Sequence, residues 1–226
     1  MDRNRVEDGA IRLLRDMWRG RESMFSKDIR PLELLEPHLA ARFLGIKFEF
    51  HAGLGRFGDR GVQFEVAGFM DRQARRIAVS RQFAMEIMRF TGAHEIGHWL
   101  LHPREVMHRD RPIRGLSRDV TSRLPHEQEA DYFSACFLAP RRLVTEAFAA
   151  RFQSTPLVID EAAAFWLSPD DPEAVLRPEI GSLDRALTLA TARSYGNRHF
   201  ESLAMLFRVS PTTMAIRLEE LGLMRE

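Results

Sequence analysis

His94-Glu95-Ile96-Gly97-His98 sets two imidazoles four residues apart, with a carboxylate directly after the first. An α-helix rises about 1.5 Å and turns about 100° per residue, so residues four apart share a face and lie about 6 Å apart along the axis. Both rings can then reach one metal ion. Glu95, roughly a quarter-turn away, can touch a water on that ion without ligating it. The spacing predicts a helix from about residue 82 to 102 that carries two ligands and a general base.

Helix phase chooses a third ligand. His102 continues the series, but on a straight helix it lies about 12 Å along the axis from His94, too far to share one ion with both other rings. It reads as a helix-end histidine. Downstream, the run from His126 to Pro140 forms a second helix whose core face is Ala130, Phe133, Ser134, Phe137 and Leu138. Glu127 and Asp131 fall on or beside that face, and Glu129 falls almost opposite, toward water. A carboxylate turned into a core carries a desolvation cost unless it is paired or metal-bound, so Glu127 is the expected third ligand. Asp131, one turn on, is the expected acceptor that orients a ligand histidine through its free N–H.

His94–Pro103 followed by Glu127-Gln-Glu-Ala-Asp-Tyr-Phe-Ser-Ala-Cys-Phe-Leu-Ala-Pro140 resembles the ImmA/IrrE family of bacterial metallo-endopeptidases, whose second motif has the form E-x-x-A-N/D-x-F-A-x-x-L-L-x-P. The resemblance covers about residues 30–150 and reaches the C-terminus more weakly. Ser134 replaces the usual alanine, and Ala139 stands where methionine is common. Neither change touches an expected ligand. The resemblance implies one zinc ion per chain on His94, His98 and Glu127, with Glu95 as general base. It also implies an α+β fold with a mainly helical, gluzincin-like core and a small, mostly antiparallel sheet. The implied substrate is a partner repressor of the helix-turn-helix XRE type, whose cleavage induces stress, mobile-element or defence genes.

Composition sets the bounds. A chain of 226 residues with 45% hydrophobic content buries a proper core, and a net charge of +1 does not announce a nucleic-acid binder. No apolar run approaches about 18 residues, and the charged start Met1-Asp2-Arg3-Asn4-Arg5 is no signal core, so a soluble cytoplasmic protein with no membrane partner is expected. The single cysteine, Cys136, excludes an intramolecular disulfide framework and reads as a small core residue. Lys27 and Lys47 are the only lysines among 33 basic Lys and Arg residues, which leaves 31 arginines. Such guanidinium groups suit phosphates or acidic surfaces.

Two domains are expected: 1–155, a zinc-peptidase domain with the N-terminal helices and small sheet, and 156–226, a helical region of helix-turn-helix-like form. Residues 5–20 read as an amphipathic helix, and Pro31 as the start of another through Leu44, stopped by Gly45. Ile46–Phe50 and Val62–Val66 alternate as strands around the glycine-rich loop Gly53–Gly61, and Phe69–Asp71 with Arg76–Val79 form a hairpin. Val62–Phe69 is the candidate edge strand for pairing with substrate backbone. Residues 103–125 read as a long connection with six arginines and three acids, a net +3. It is a candidate lid, with a His or Asp that caps the zinc at rest.

Arg141–Phe152, Val158–Leu167, Leu183–Ser194, Phe200–Phe207 and Pro211–Leu221 read as helices, the last capped by Ser210 and stopped by Gly222. Residues 200–226 carry a net −1, a poor footprint for phosphate. Tyr132, His126 and His108 are the candidate oxyanion or substrate contacts. Single- or double-stranded DNA is a candidate activator. The rival reading is a DNA-responsive or DNA-binding regulator whose metal site is structural or vestigial.

Overall fold

The computed structural model describes residues 1–25, 28–57, 63–110, 124–179 and 181–225. Gly58, Gly61 and Val62, together with positions 111–123 of the long connection, lie outside the described residues. In chain order the helices are α1 (Arg3–Arg19), α2 (Arg21–Met24), α3 (Pro37–Phe43), α4 (Met85–Leu101), α5 (Pro125–Leu138), α6 (Arg141–Phe152), α7 (Glu161–Leu167), α8 (Glu173–Leu176), α9 (Asp184–Thr191), α10 (Leu203–Phe207) and α11 (Pro211–Glu220). The strands are β1 (Lys47–His51), β2 (Arg56–Phe57), β3 (Phe64–Glu65), β4 (Gly68–Asp71), β5 (Arg76–Ser80), β6 (Met107–Asp110), β7 (Leu157–Val158), β8 (Ser194–Tyr195), β9 (Arg198–His199) and β10 (Met224–Arg225). The chain divides into two compact units, Met1–Leu138 and Ala139–Glu226.

In the first unit a four-stranded sheet runs in the order β1-β5-β4-β6. The β1–β5 pair is parallel and the other two pairs are antiparallel, so the fold is α+β, mainly helical, with a mostly antiparallel sheet. The expected hairpin is β4–β5. Helix α4 is buried without a break from Arg89 to His98, because it contacts the sheet, α3 and α5 on different sides. This explains why its sequence shows no single apolar stripe. Helix α1, capped by Asp2 accepting from the Arg5 N–H, buries Val6, Ala10, Leu13 and Met17 on one face and contacts α5.

Three expectations for the first unit are corrected by the fold. The helix expected over Pro31–Leu44 is split into a 3-10 turn at Pro31–Leu34 and α3, because Pro37 holds Glu36 in extended backbone and starts a new helix. The Val62–Phe69 stretch does not supply the sheet edge. Phe64–Glu65 pairs with Arg56–Phe57 in a separate ribbon, β4 is internal, and the edge strand beside β4 is β6, from the stretch read as loop. Glu129 does not face open water. Its side chain is 15% exposed and accepts from Arg5 of α1 (2.9 Å), since α1 covers that side of α5.

In the second unit α11 contacts α9 and α10, and α10, a turn at Arg208 and α11 have helix-turn-helix form. Ser210 accepts from the Thr213 N–H as the expected cap. The fully buried Arg217 guanidinium donates to the Ala139 carbonyl (3.1 Å) and pairs with Glu220 (3.3 Å). The helix expected from Val158 begins only at Glu161, because Leu157–Val158 pairs in parallel with Met224–Arg225 and Asp160 caps the helix start. Among the described residues no helix is long and apolar enough to cross a membrane.

The closest approach of α4 and α5 passes through Gly97, where an added Cβ would lie 3.2 Å from the Ala130 Cα and from the Phe133 ring. Two backbones cannot separate cheaply in a close-packed interior. Gly97→Val is therefore predicted to lower unfolding free energy by about 1–3 kcal/mol, read from urea denaturation.

Candidate metal centre

His94 and His98, on successive turns of α4, are both fully buried and bring their Nε2 atoms to 3.0 Å. Glu127, in the first turn of α5, sets Oε2 3.4 Å from His94 Nε2 and Oε1 3.5 Å from His98 Nε2. Zinc takes ligands at about 2.0–2.2 Å, and a tetrahedron of that size has edges of about 3.4 Å. The three separations therefore suit one ion among these atoms, and the N/N/O donor set suits zinc.

The outer nitrogens of both rings face carboxylates. His94 Nδ1 lies 3.0 Å from Asp131 Oδ1, and His98 Nδ1 lies 2.7 Å from Glu105 Oε2. The carboxylate at His98 Nδ1 favours a proton there and leaves that ring's Nε2 lone pair turned inward.

Glu95 is wholly buried against β4, and its Oε1 has no hydrogen-bond partner among the described residues. A buried carboxylate oxygen without a donor marks a place for an absent water or substrate group. Gly68 on β4 makes the room. A Cβ there would collide with the Thr91 methyl and come within 3.2 Å of Glu95 Oε1.

His108 enters the same cluster from β6. Its Nε2 lies 2.9 Å from Glu127 Oε1, its Nδ1 lies 3.3 Å from Glu95 Oε2, and its ring stacks on His98 at 3.8 Å between centroids. One atom each from His94, His98, His108 and Glu127 can be chosen within 4.8 Å of one another. Burial disfavours the His108 imidazolium, but its hydrogen bonds to Glu127 and Glu95 outweigh that and push its pKa up to about 10. Burial also disfavours the charged form of Glu127, yet hydrogen bonds with His108 and His94 hold its carboxyl well below the usual range. His98 is pushed down by burial and by the neighbouring imidazoles. The cluster thus keeps Glu127 anionic and His98 neutral, the states that metal ligation requires.

The remaining candidates are placed as follows. His126 is at the rim, 38% exposed, with Nε2 3.2 Å from Glu127 Oε1. Tyr132 is buried on the side of α5 toward α1, with the Arg3 guanidinium 5.2 Å over its ring. His102 is the C-cap of α4, as expected for a helix-end histidine, and its Nε2 lies 3.1 Å from Glu129. With His98 and Glu105 it forms a second group of metal-ligand spacing on the outer side of His98.

Sequence reasoning missed Glu105, Gly68 and Arg72. The Arg72 guanidinium donates to the carbonyls of Glu105 (2.9 Å), Trp99 (3.0 Å), His102 (3.2 Å) and His98 (3.3 Å), so it closes the end of α4 and fixes the turn that presents Glu105. No local pattern announces such a long-range contact.

The family model for the IrrE N-terminal-like domain, Peptidase M78, matches residues 57–170, just over half of the chain. That segment contains every member of the cluster. No curated protein matches the chain.

The raised pKa of His108 has a stability consequence. Its ordinary value is 6.5. A folded-state value above the unfolded one adds stability that is fully present below about pH 6.5 and is lost as pH rises through about 10. In EDTA-treated protein, thermal melts between these limits are predicted to show a falling Tm, with a shallower fall in His108→Gln.

Proposed function

The chain belongs to the IrrE N-terminal-like Peptidase M78 family, and from that premise we propose that it is a zinc endopeptidase that cuts a partner helix-turn-helix repressor of the XRE type. His94, His98 and Glu127 would hold the ion, with Asp131 and Glu105 orienting the two rings through their Nδ1 protons. The ion supplies Lewis acidity toward the scissile carbonyl and lowers the pKa of water. Glu95 takes the proton of the attacking water and delivers it to the leaving nitrogen. The observation that carries this reading is Glu95 itself. It is wholly buried, has an oxygen without a hydrogen-bond partner among the described residues, and meets through its other oxygen the His108 ring that also contacts Glu127. A purely structural site has no use for that carboxylate.

Residues 1–155 carry the chemistry in this reading, and the helix-turn-helix-like form within 156–226 suits repressor docking better than DNA, given the net −1 of residues 200–226. The lone buried Cys136 fits a reducing cytoplasm. A signal, with nucleic acid as the candidate, releases activity and so induces stress, mobile-element or defence genes.

Metal content by mass spectrometry tests the reading, followed by incubation with the repressor encoded beside the chain, with and without DNA. About one zinc per wild-type chain is expected. It should be lost with Glu127→Ala and kept with Glu129→Ala. Glu95→Gln should keep its zinc and lose cleavage by about a hundredfold or more. Zinc retained in Glu127→Ala, or cleavage unchanged in Glu95→Gln, would overturn it.

A further inference from the structure

We propose that His108 is a fourth protein ligand that closes the metal centre at rest, and that β6 is a strap that must leave the edge of β4 before a peptide can be cut. This rests on the peptidase reading above. Two separate observations carry it.

The first is the position of the His108 ring. A hydrolytic site keeps one coordination position for water, and a structural site fills all of them from the protein. His108 offers an atom within 4.8 Å of atoms from His94, His98 and Glu127, and its Nε2 lies 2.9 Å from Glu127 Oε1, so a turn of the ring off His98, on which it is stacked, aims it at the same ion. Its other nitrogen lies 3.3 Å from Glu95 Oε2. One imidazole therefore stands both among the ligand atoms and against one of the two Glu95 carboxylate oxygens.

The second is the sheet. Residues opposite one another on paired strands project to the same face. His108 stands opposite Met70, and Met70 shares its face with Gly68, which borders Glu95. Pairing of β6 with β4 thus delivers His108 to the centre. The same pairing occupies β4 from Gly68 to Asp71, while β5 occupies its other edge. An extended peptide that adds to β4 beside the general base has no free edge until β6 withdraws.

The strap is rooted on the end of α4. The Arg72 N–H donates to Val106 (2.9 Å) and its guanidinium to Glu105, which keeps the root of β6 on the end of α4. Val106 and Met107 are about half exposed, at 49% and 52%, so little apolar burial holds the strand itself. Displacement can then swing His108 away and leave Glu105 on His98.

Cobalt-substituted full-length protein tests the proposal, with acetohydroxamate as a probe for a free coordination position and visible absorption as the readout. Circular dichroism establishes that His108→Ala and His108→Gln are folded. Wild type is expected to take up the hydroxamate about tenfold more weakly than either variant, since a closed state lowers apparent affinity by the open fraction. Amide exchange over Met107–Asp110 should be faster in the cobalt-loaded variants, and hydrolysis of a short unstructured peptide should rise. Equal hydroxamate affinity in wild type and variants overturns the proposal. So does a fall in turnover with hydroxamate affinity unchanged, which would make His108 an oxyanion contact with β6 as the substrate edge. Cobalt that fails to bind wild type would instead sink the peptidase reading on which the proposal rests.

Discussion

A carboxylate held against two wholly buried imidazoles governs the first unit. Charge in a low-dielectric interior is costly unless opposite charge or strong donors meet it, and the Glu127 carboxylate meets His94, His98 and His108 together. Outside the centre, Asp131 lies 3.0 Å from His94 Nδ1, Glu105 hydrogen-bonds His98, and β6 holds His108. Helix α4 must therefore be enclosed on several sides, and the sheet and helices around it supply that enclosure. The arrangement favours a divalent cation, which would satisfy the inward lone pairs and the carboxylate at once.

Small residues set the distances. Gly97 lets α5 approach α4 closely enough for Glu127 to reach both histidines, and Gly68 lets β4 approach closely enough to wall in Glu95. Gly97, within α4, makes room for α5, and Gly68, on β4, makes room for the Glu95 side chain. The buried cluster and the tight core are here built from the same contacts. This is why the sequence of α4 is apolar or chemically committed at nearly every buried position.

Much of the centre is legible in the amino-acid sequence. Four-residue spacing points to His94 and His98. The phase of Ala130, Phe133, Ser134, Phe137 and Leu138 turns Glu127 and Asp131 inward, and these residues are brought together. Such inferences rest on local periodicity, which a single helix encodes within itself. Other features depend on partners far along the chain. Met107-His108-Arg109-Asp110 has no apolar alternation and becomes a strand only because β4 offers an edge. Glu129 leaves water only because α1 lies across it, and Glu105 reaches His98 only because Arg72 fixes the turn. The Pro31–Leu44 break is readable in principle, since Pro37 restricts the residue that precedes it.

An anomalous difference map at the zinc edge, from crystals of the zinc-loaded chain, tests the central claim most directly, because the described residues contain two groups of metal-ligand spacing that share His98. One peak is expected among His94 Nε2, His98 Nε2 and the Glu127 carboxylate, on the inner side of His98. A peak on the outer side, among His98 Nδ1, His102 and Glu105, would contradict it and would leave Glu95 without a metal to serve.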